Sequence, residues 1–568
     1  MTMTIHRLTA GSGYDYLTRQ VARQDATEVG HSGLGSYYTA KGEAPGVWVG
    51  AAMAGIEGLA AGEEVTAEQM TRLFGTGEHP LGDESGHSLG RPFRVYGGRD
   101  DVTPFRIKVA RRFEKHNKAL GLPVDHPIAV EERASIRTQV GLELFRTEHG
   151  RDPFDERELS GLIAKQSRPR TTAVAGFDLT FSPVKSVSTL WAVADRPLAQ
   201  QIEAAHQAAV RDALVYLEKH ALFTRTGKDG VQQVDVRGLV AAAFTHRDSR
   251  AGDPDLHTHV AVANKVQTVT DGRWLSLDSR LLHKATVSAS ETYNTALEKH
   301  LRTLGITFAP RTPSTGADAR KRPVREIVGV DDRLNQAWST RRANIQARRS
   351  VLAQAFQAQH GRPPTPVESI QLAQQATLET RDAKHEPRSE TQQRQTWHSE
   401  ALAVLGDQGA LESMVGTALS GTRTHGFGEL VDEAWVERTA ARVVATVQAS
   451  RSTWQVWHVR AEAQRRVRAA DLPVSHMEDL VEELTEAALV RSRRMVGARA
   501  DRITEPETLR RADGTSVYTV AGWDLFTSTE ILGAEQRLVG AASRTDGRRA
   551  GEQDVEVTLL EQMANGVA

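Results

Sequence analysis

The sequence predicts an α+β fold: an antiparallel β-sheet with flanking helices, followed by a mainly helical C-terminal region. Three features of the 568 residues carry that expectation. Strand and helix signals alternate up to the break "APRTPSTGADARKRP" (309–323). Two strand-like runs, "GLVAAAFTH" and "LHTHVAVAN", are separated only by a short loop with Gly252 and Pro254, which makes them antiparallel neighbours. Beyond the break, helical spacing of apolar residues dominates.

The elements follow in order. "GFDLTFSPVKSVSTLWAVAD" alternates Phe177, Leu179 and Phe181 with Asp178, Thr180 and Ser182, giving one core face and one face with a carboxylate among hydroxyls. Ser182 then suits an N-cap and Pro183 the first helical position, with Val187, Leu190, Trp191 and Ala194 on the buried helix face. Such a start presents free backbone N–H groups beside Lys185, a ready phosphate site, although a polar strand residue and a solvated lysine would look the same. After the break, "DDRLNQAWSTRRANIQARRSVLAQAFQAQ" reads as helix, and Thr365-Pro366 as N-cap and first turn. "RSTWQVWHVRAEAQRRVRAA" is a further amphipathic helix, and Thr527 with Glu530 forms a capping-box pattern. Further breaks at 360–366 and 384–390 divide the chain into residues 1–330, a helical extension 331–400, and a mainly helical region 401–568.

Composition narrows the chemistry. With 39% hydrophobic and 25% charged residues the chain can bury more than one ordinary core. No run approaches the roughly 18 apolar residues of a membrane span, and the start lacks a signal-peptide layout, so no membrane insertion and a cytoplasmic location are expected. There is no cysteine, so a metal must be held by His, Asp or Glu. A net charge of −1 advertises no polyanion partner in bulk, and any such site must be a local basic surface.

The hairpin is where the chemistry concentrates. His257 and His259 lie two residues apart on one strand and so share a face, and His246 near the end of the preceding strand lies opposite. Three convergent imidazoles with open positions are the layout of a catalytic metal site, whereas an H-x-H pair by itself is more often structural. A cupin-type metal oxygenase also begins with H-x-H, but it wants a glutamate a few residues on, and 260–266 offers none. Tyrosine is scarce, eight in all, yet Tyr14, Tyr16, Tyr37 and Tyr38 fall early, beside glycines rather than in apolar runs. A tyrosine hydroxyl is a weak nucleophile at neutral pH, but beside a polarised phosphodiester and a base it can attack phosphorus.

Taken in order, "TAGSGYDYLTRQVA", "GFDLTFSPVKSVSTLWA" and "THRDSRAGDPDLHTHVAVANKV" resemble the MobF (TrwC-like) conjugative relaxases of the HUH endonuclease superfamily, over about the first 330 residues. The helical remainder resembles the connecting region of actinobacterial-type members. The resemblance implies the HUH relaxase fold and nicking of one DNA strand at a transfer origin, with a 5′-phosphotyrosine, a free 3′-OH and the capacity to religate. It places the nucleophile on Tyr16, with Tyr14 as the neighbouring alternative because the motif reads Tyr-Asp-Tyr, and a second pair on Tyr37 and Tyr38. Asp178 matches the family's aspartate, either as proton acceptor or as partner of a ligand histidine, and His246, His257 and His259 match its metal ligands. The metal would be Mg²⁺ or Mn²⁺, with Zn²⁺ also suited to three imidazoles.

Expected partners are single-stranded and origin DNA, and a conjugative coupling or secretion apparatus. Candidate DNA contacts are Lys185, Arg168 and Arg170, with the basic runs 106–118 and 341–349. The stretch from about Gly75 to Arg170 is longer than the spacing of these motifs requires and reads as an insertion. Family members often continue into a helicase; no G-x-x-x-x-G-K-[ST] occurs here, so ATP is not an expected ligand and the chain is expected to lack that motor. Other classes compatible with the same residues are a rolling-circle replication initiator or transposase, and a non-catalytic DNA-binding regulator of the same fold.

Overall fold

The computed structural model describes residues 2–17, 46–82, 88–94, 104–124, 126–167, 172–311, 322–380, 389–421, 431–470, 472, 474–495, 505–544, 546–547 and 550–564. The strands used below are β1 (Met3–Thr9), β2 (Val47–Val49), β3 (Val174–Phe181), β4 (Phe223–Thr226), β5 (Gln232–Asp235), β6 (Ala241–Asp248) and β7 (Pro254–Ala263). Five of them form one sheet in the order β1-β3-β7-β6-β2, every pair antiparallel. The predicted α+β antiparallel sheet is therefore present, and β4 and β5 pair separately as a hairpin.

Period-two alternation gives the sheet two unlike faces. Phe177, Leu179, Phe181, Leu256, Val260 and Val262 pack against helices Arg196–His220 and Ser279–Arg302 in the main core. The opposite face meets a second core of Leu8, Tyr14, Trp48, Phe74, Ala242, Phe244 and Ala261. Burying each such Leu, Val or Phe side chain contributes about 1.5–3 kcal/mol. Helices Pro104–Ala119, Val130–His149 and Glu156–Ser167 fill the predicted insertion and share a small core around Phe105, Val109, Val140 and Leu144.

Helical structure dominates after the break. Residues 332–360 form two helices, Asp332–Ala337 and Thr340–His360, rather than one, and Trp338 at the junction is buried in the main core. Thr365 caps Pro366–Glu379 in a full capping box with Glu368, as its sequence predicts. Trp397 on helix Glu390–Leu405 stacks edge-on against Trp191 of helix Lys185–Val193, inside the same core. Helices Glu433–Gln448, Val456–Ala469 and Met477–Arg491 enclose a separate core around Trp435, Trp454, Val459 and Leu484. Among the described residues no helix is long and apolar enough to cross a membrane.

Two caps differ from expectation. Ser182 and Pro183 stay outside the helix, because Val184 is still extended and the helix starts at Lys185. Thr527 belongs to a short strand and donates to the Ser452 carbonyl, leaving Ser528 to accept from the Ile531 N–H as the cap of Thr529–Ala542.

Behind the sheet lies a buried polar network. His206 is fully buried, hydrogen-bonded through Nδ1 to the Tyr293 hydroxyl (2.7 Å) and through Nε2 to Thr258 Oγ1 (2.8 Å). Burial, and then the nearby His257, push its pKa down from 6.5 to about 3. A depressed folded-state pKa means stability that is complete above the unfolded value and lost as pH falls toward the folded one. The urea midpoint should accordingly fall as pH is lowered from about 6.5 toward 3. In His206→Gln the dependence should be shallower over that window, and equal slopes in the two proteins would show that His206 does not contribute.

Candidate active site

The site is built where β3, β7 and β6 run side by side. His246 lies directly opposite His257, and His259 lies between Phe244 and Thr180. On β7 the buried Leu256, Thr258 and Val260 alternate with the half-buried His257 and His259, so the two histidines share the face away from the main core. Pairing slips between His246 and Asp248, where β7 carries one extra residue. That bulge leaves an unpaired N–H at Leu256, and Ser188 Oγ accepts it at 3.1 Å.

The three imidazoles form a nearly equilateral triangle. Ring centres are 5.4 Å apart for His246 with His257, 5.4 Å for His246 with His259, and 5.2 Å for His257 with His259. Nitrogens bound at about 2.1 Å to one ion put ring centres roughly 5 Å apart at tetrahedral angles. Among the described residues no three His, Asp or Glu side chains are already closed into a ligand set. The spacing of the ring centres nevertheless fits one, so closure needs ring rotation rather than strand movement.

Two of the rings are held from behind. His257 Nδ1 donates to the Asp255 carbonyl at 2.7 Å, and His259 Nδ1 lies 2.9 and 3.1 Å from the Asp178 carboxylate oxygens. With the proton on Nδ1, each ring turns an unprotonated Nε2 outward, the tautomer a metal requires. Asp178 is buried, and Thr180 Oγ1 lies 3.2 Å from the same His259 nitrogen.

Tyr16 completes the group. Its hydroxyl donates to Asp178 Oδ2, and its ring meets His259 edge-on with centres 6.0 Å apart. Burial first, then the negative charge of Asp178, raise the pKa of Tyr16. Its hydroxyl therefore keeps its proton at neutral pH while leaning on the group that can take it. Tyr16, His246, His257 and His259 line one cleft of ≈ 220 Å³ with Asp255, Arg250 and Arg341.

The structure does not bring every expected residue to that cleft. Tyr14 points into the second core, where its hydroxyl donates to Thr71 Oγ1 at 3.0 Å and its ring packs beside Phe74. The cause is local: the chain turns at Gly11 (φ 87°) and Gly13, where a Cβ would collide with the Thr9 backbone, and a short helical turn then sends residues 14 and 16 to different sides. The phosphate site at Lys185 is also corrected. The Ser186 N–H and hydroxyl both donate to Glu326 at 3.0 and 2.6 Å, so a protein carboxylate already occupies the helix start. Lys185 instead donates to the Pro254 carbonyl and pins the start of β7. Tyr37, Tyr38, Arg168 and Arg170 lie outside the described residues.

Arg250 and Asp255 were not singled out by sequence, and Arg341 only as the first residue of the basic run 341–349. Arg250 sits in the hairpin loop and Arg341 at the start of helix 340–360. The loop that carries the histidine turn is fastened by that region: Asp253 accepts from Thr340 N and Oγ1 (both 3.0 Å), Trp397 Nε1 donates to the Gly252 carbonyl (2.9 Å), and Gln393 donates to Asp248 (2.9 Å).

Fold and site together define a sheet-borne centre in which three histidines and a tyrosine converge on one aspartate-backed cleft. The chain belongs to the TrwC relaxase family, which it matches over residues 10–404. Two Escherichia coli relatives, each described as multifunctional conjugation protein TraI, one of them from strain K12, are 32% and 31% identical over 225 residues. Those alignments span 36% of this chain and 12% of each relative's length. Among solved structures, conjugative relaxase TrwC with oriT DNA in a copper-bound form has 21% identity and a TM-score of 0.39, covering 71% of this chain and 98% of that one. TrwC with a mutant oriT DNA has 20% identity and a TM-score of 0.42, covering 71% and 99%.

Proposed function

We propose that this protein is a conjugative relaxase that cuts one DNA strand at a transfer origin through Tyr16 and can rejoin it. The observation that carries the reading is that a single buried carboxylate, Asp178, accepts from Tyr16 and from His259 at once. Tyr16 Oη forms a bond to phosphorus as the bond from phosphorus to O3′ breaks, giving a 5′-phosphotyrosine and a 3′-OH. The tyrosine proton passes to Asp178, and the departing 3′-oxygen takes up a proton. Because one phosphodiester replaces another, the reverse step rejoins the ends. A divalent ion held by His246, His257 and His259 would draw charge from a non-bridging phosphate oxygen. The donor set, three nitrogens and no carboxylate, suits Mn²⁺ or Zn²⁺ better than Mg²⁺, which favours oxygen ligands.

Membership of the TrwC relaxase family supports DNA as substrate, and the description of TraI as a conjugation protein supports a transfer apparatus as partner. The reaction centre is assigned to residues 1–330, and cytoplasmic action on single-stranded origin DNA follows from the same reading. The basic residues 341–349 start at the cleft, on helix 340–360, and are assigned to the DNA path.

Incubation with a single-stranded origin oligonucleotide and Mn²⁺ should give a covalent protein–DNA adduct that survives denaturation and disappears with EDTA. His257→Ala should lose both the adduct and tight metal binding by calorimetry while keeping the wild-type circular dichroism. A wild-type protein that forms no adduct with any divalent metal would be a DNA-binding protein of this fold without the chemistry.

A further inference from the structure

We infer that Arg341 is a catalytic residue whose guanidinium binds the phosphodiester on which Tyr16 acts; this rests on the relaxase reading and adds a group from outside the sheet. Arg341 lines the cleft with Tyr16, His246, His257 and His259. It is half-buried, and among the described residues it has no ion-pair or hydrogen-bond partner. Nearby, Arg348 is paired with Glu379 and Arg333 with Asp331, while Arg342 and Arg349 on the same helix are exposed to solvent. A partly desolvated guanidinium without a carboxylate partner is costly unless an anion completes it, and the cleft it lines also carries Arg250 and the three histidines beside Asp248 and Asp255.

Its position is fixed relative to the histidines. The carboxylate of Asp253, in the turn between β6 and β7, binds both the backbone N–H and the hydroxyl of Thr340, the residue before Arg341. The turn that sets the histidine register therefore also sets where Arg341 begins. A phosphodiester offers two non-bridging oxygens. An ion held by the three histidines would draw off part of their charge, and the planar fork of the Arg341 guanidinium suits a non-bridging oxygen together with an ester oxygen, stabilising charge that grows in the transition state.

The test uses the full chain and a single-stranded origin oligonucleotide in two measurements. In EDTA, fluorescence anisotropy across a salt series should show that Arg341→Ala weakens binding and reduces the slope of log affinity against log salt by about 0.7–1, the loss of one phosphate contact. With Mn²⁺, single-turnover adduct formation should fall about 10²-fold. Arg341→Lys should recover the salt slope and leave most of the rate defect, because a point charge lacks the fork. A wild-type salt slope and adduct rate in Arg341→Ala would overturn the inference while the wild-type adduct leaves the relaxase reading standing. A lowered melting temperature with an unchanged slope would likewise overturn it, marking Arg341 as a structural residue. If the wild-type protein forms no adduct at all, the relaxase reading fails and this inference with it.

Discussion

Replacing Tyr16 by phenylalanine is expected to abolish the covalent DNA adduct, whereas Tyr14→Phe should nick within a few-fold of wild type. The two residues share a motif and a chemistry, and environment alone separates them. Tyr14 is 5% exposed and Tyr16 46%. Tyr14 spends its hydroxyl on Thr71, on the far side of the turn from the histidines, where no phosphate can reach it. Its loss removes one hydrogen bond of a part-buried hydroxyl and should cost about 1 kcal/mol of stability, read as a shift in the urea midpoint. Phenylalanine at 16 keeps the ring against His259 but has no oxygen to attack phosphorus, so binding should persist while the adduct falls below detection. An adduct from Tyr16→Phe that disappears in Tyr14→Phe would reverse the assignment.

Asp178→Asn should be the next most damaging change, and its pattern of loss reports what the carboxylate does. In the native site Asp178 faces two donors, the Tyr16 hydroxyl and His259 Nδ1–H. Both donors meet the same oxygen, Oδ2, so an asparagine that keeps its carbonyl oxygen there sets its NH₂ in place of Oδ1, 3.1 Å from the His259 N–H, and can no longer take up the tyrosine proton. Loss of the proton acceptor should slow adduct formation about 10²–10⁴-fold, and loss of the support behind His259 should weaken metal binding about 10–100-fold. Measuring both separates the roles. A rate defect with native metal affinity leaves only the proton role, and a defect cured by excess metal leaves only the orienting one. The pH profile gives a further check. Burial does most to hold the Tyr16 pKa above its ordinary value and Asp178 adds to it, so the asparagine variant should lower it only part of the way. Its residual rate should then climb with pH.

The histidine triangle, proposed as the metal half of the centre, was legible because it depends on strand periodicity and a short loop. His257 and His259 share a face by period two, and the Gly252 to Pro254 loop brings His246 opposite. Asp178 was legible for the same reason, since in the sequence of β3 it and Thr180 alternate with Phe177, Leu179 and Phe181. The choice between Tyr14 and Tyr16 was not, because it turns on the backbone path through Gly11 and Gly13 rather than on composition. Lys185 misled because the partners that use up its helix start, Glu326 and Pro254, arrive from distant segments. Arg341 was legible only as one residue of the basic run 341–349, and it is the hydrogen bonds from Thr340 to Asp253 that bring the start of that helix to the cleft.

The fastening of the histidine loop sets how small a working piece of this protein can be. Every proposed ligand and nucleophile falls before residue 260, yet the loop between β6 and β7 is tied down by Thr340, Gln393 and Trp397. Trp397 is also buried against Trp191, so removing it opens the main core directly behind the bulged start of β7. A piece cut at the 309–323 break would keep the proposed ligands and nucleophile but lose Arg341 and the frame that spaces them. The shortest self-sufficient piece therefore extends at least through the end of helix 390–405, well beyond the last residue that touches the reaction.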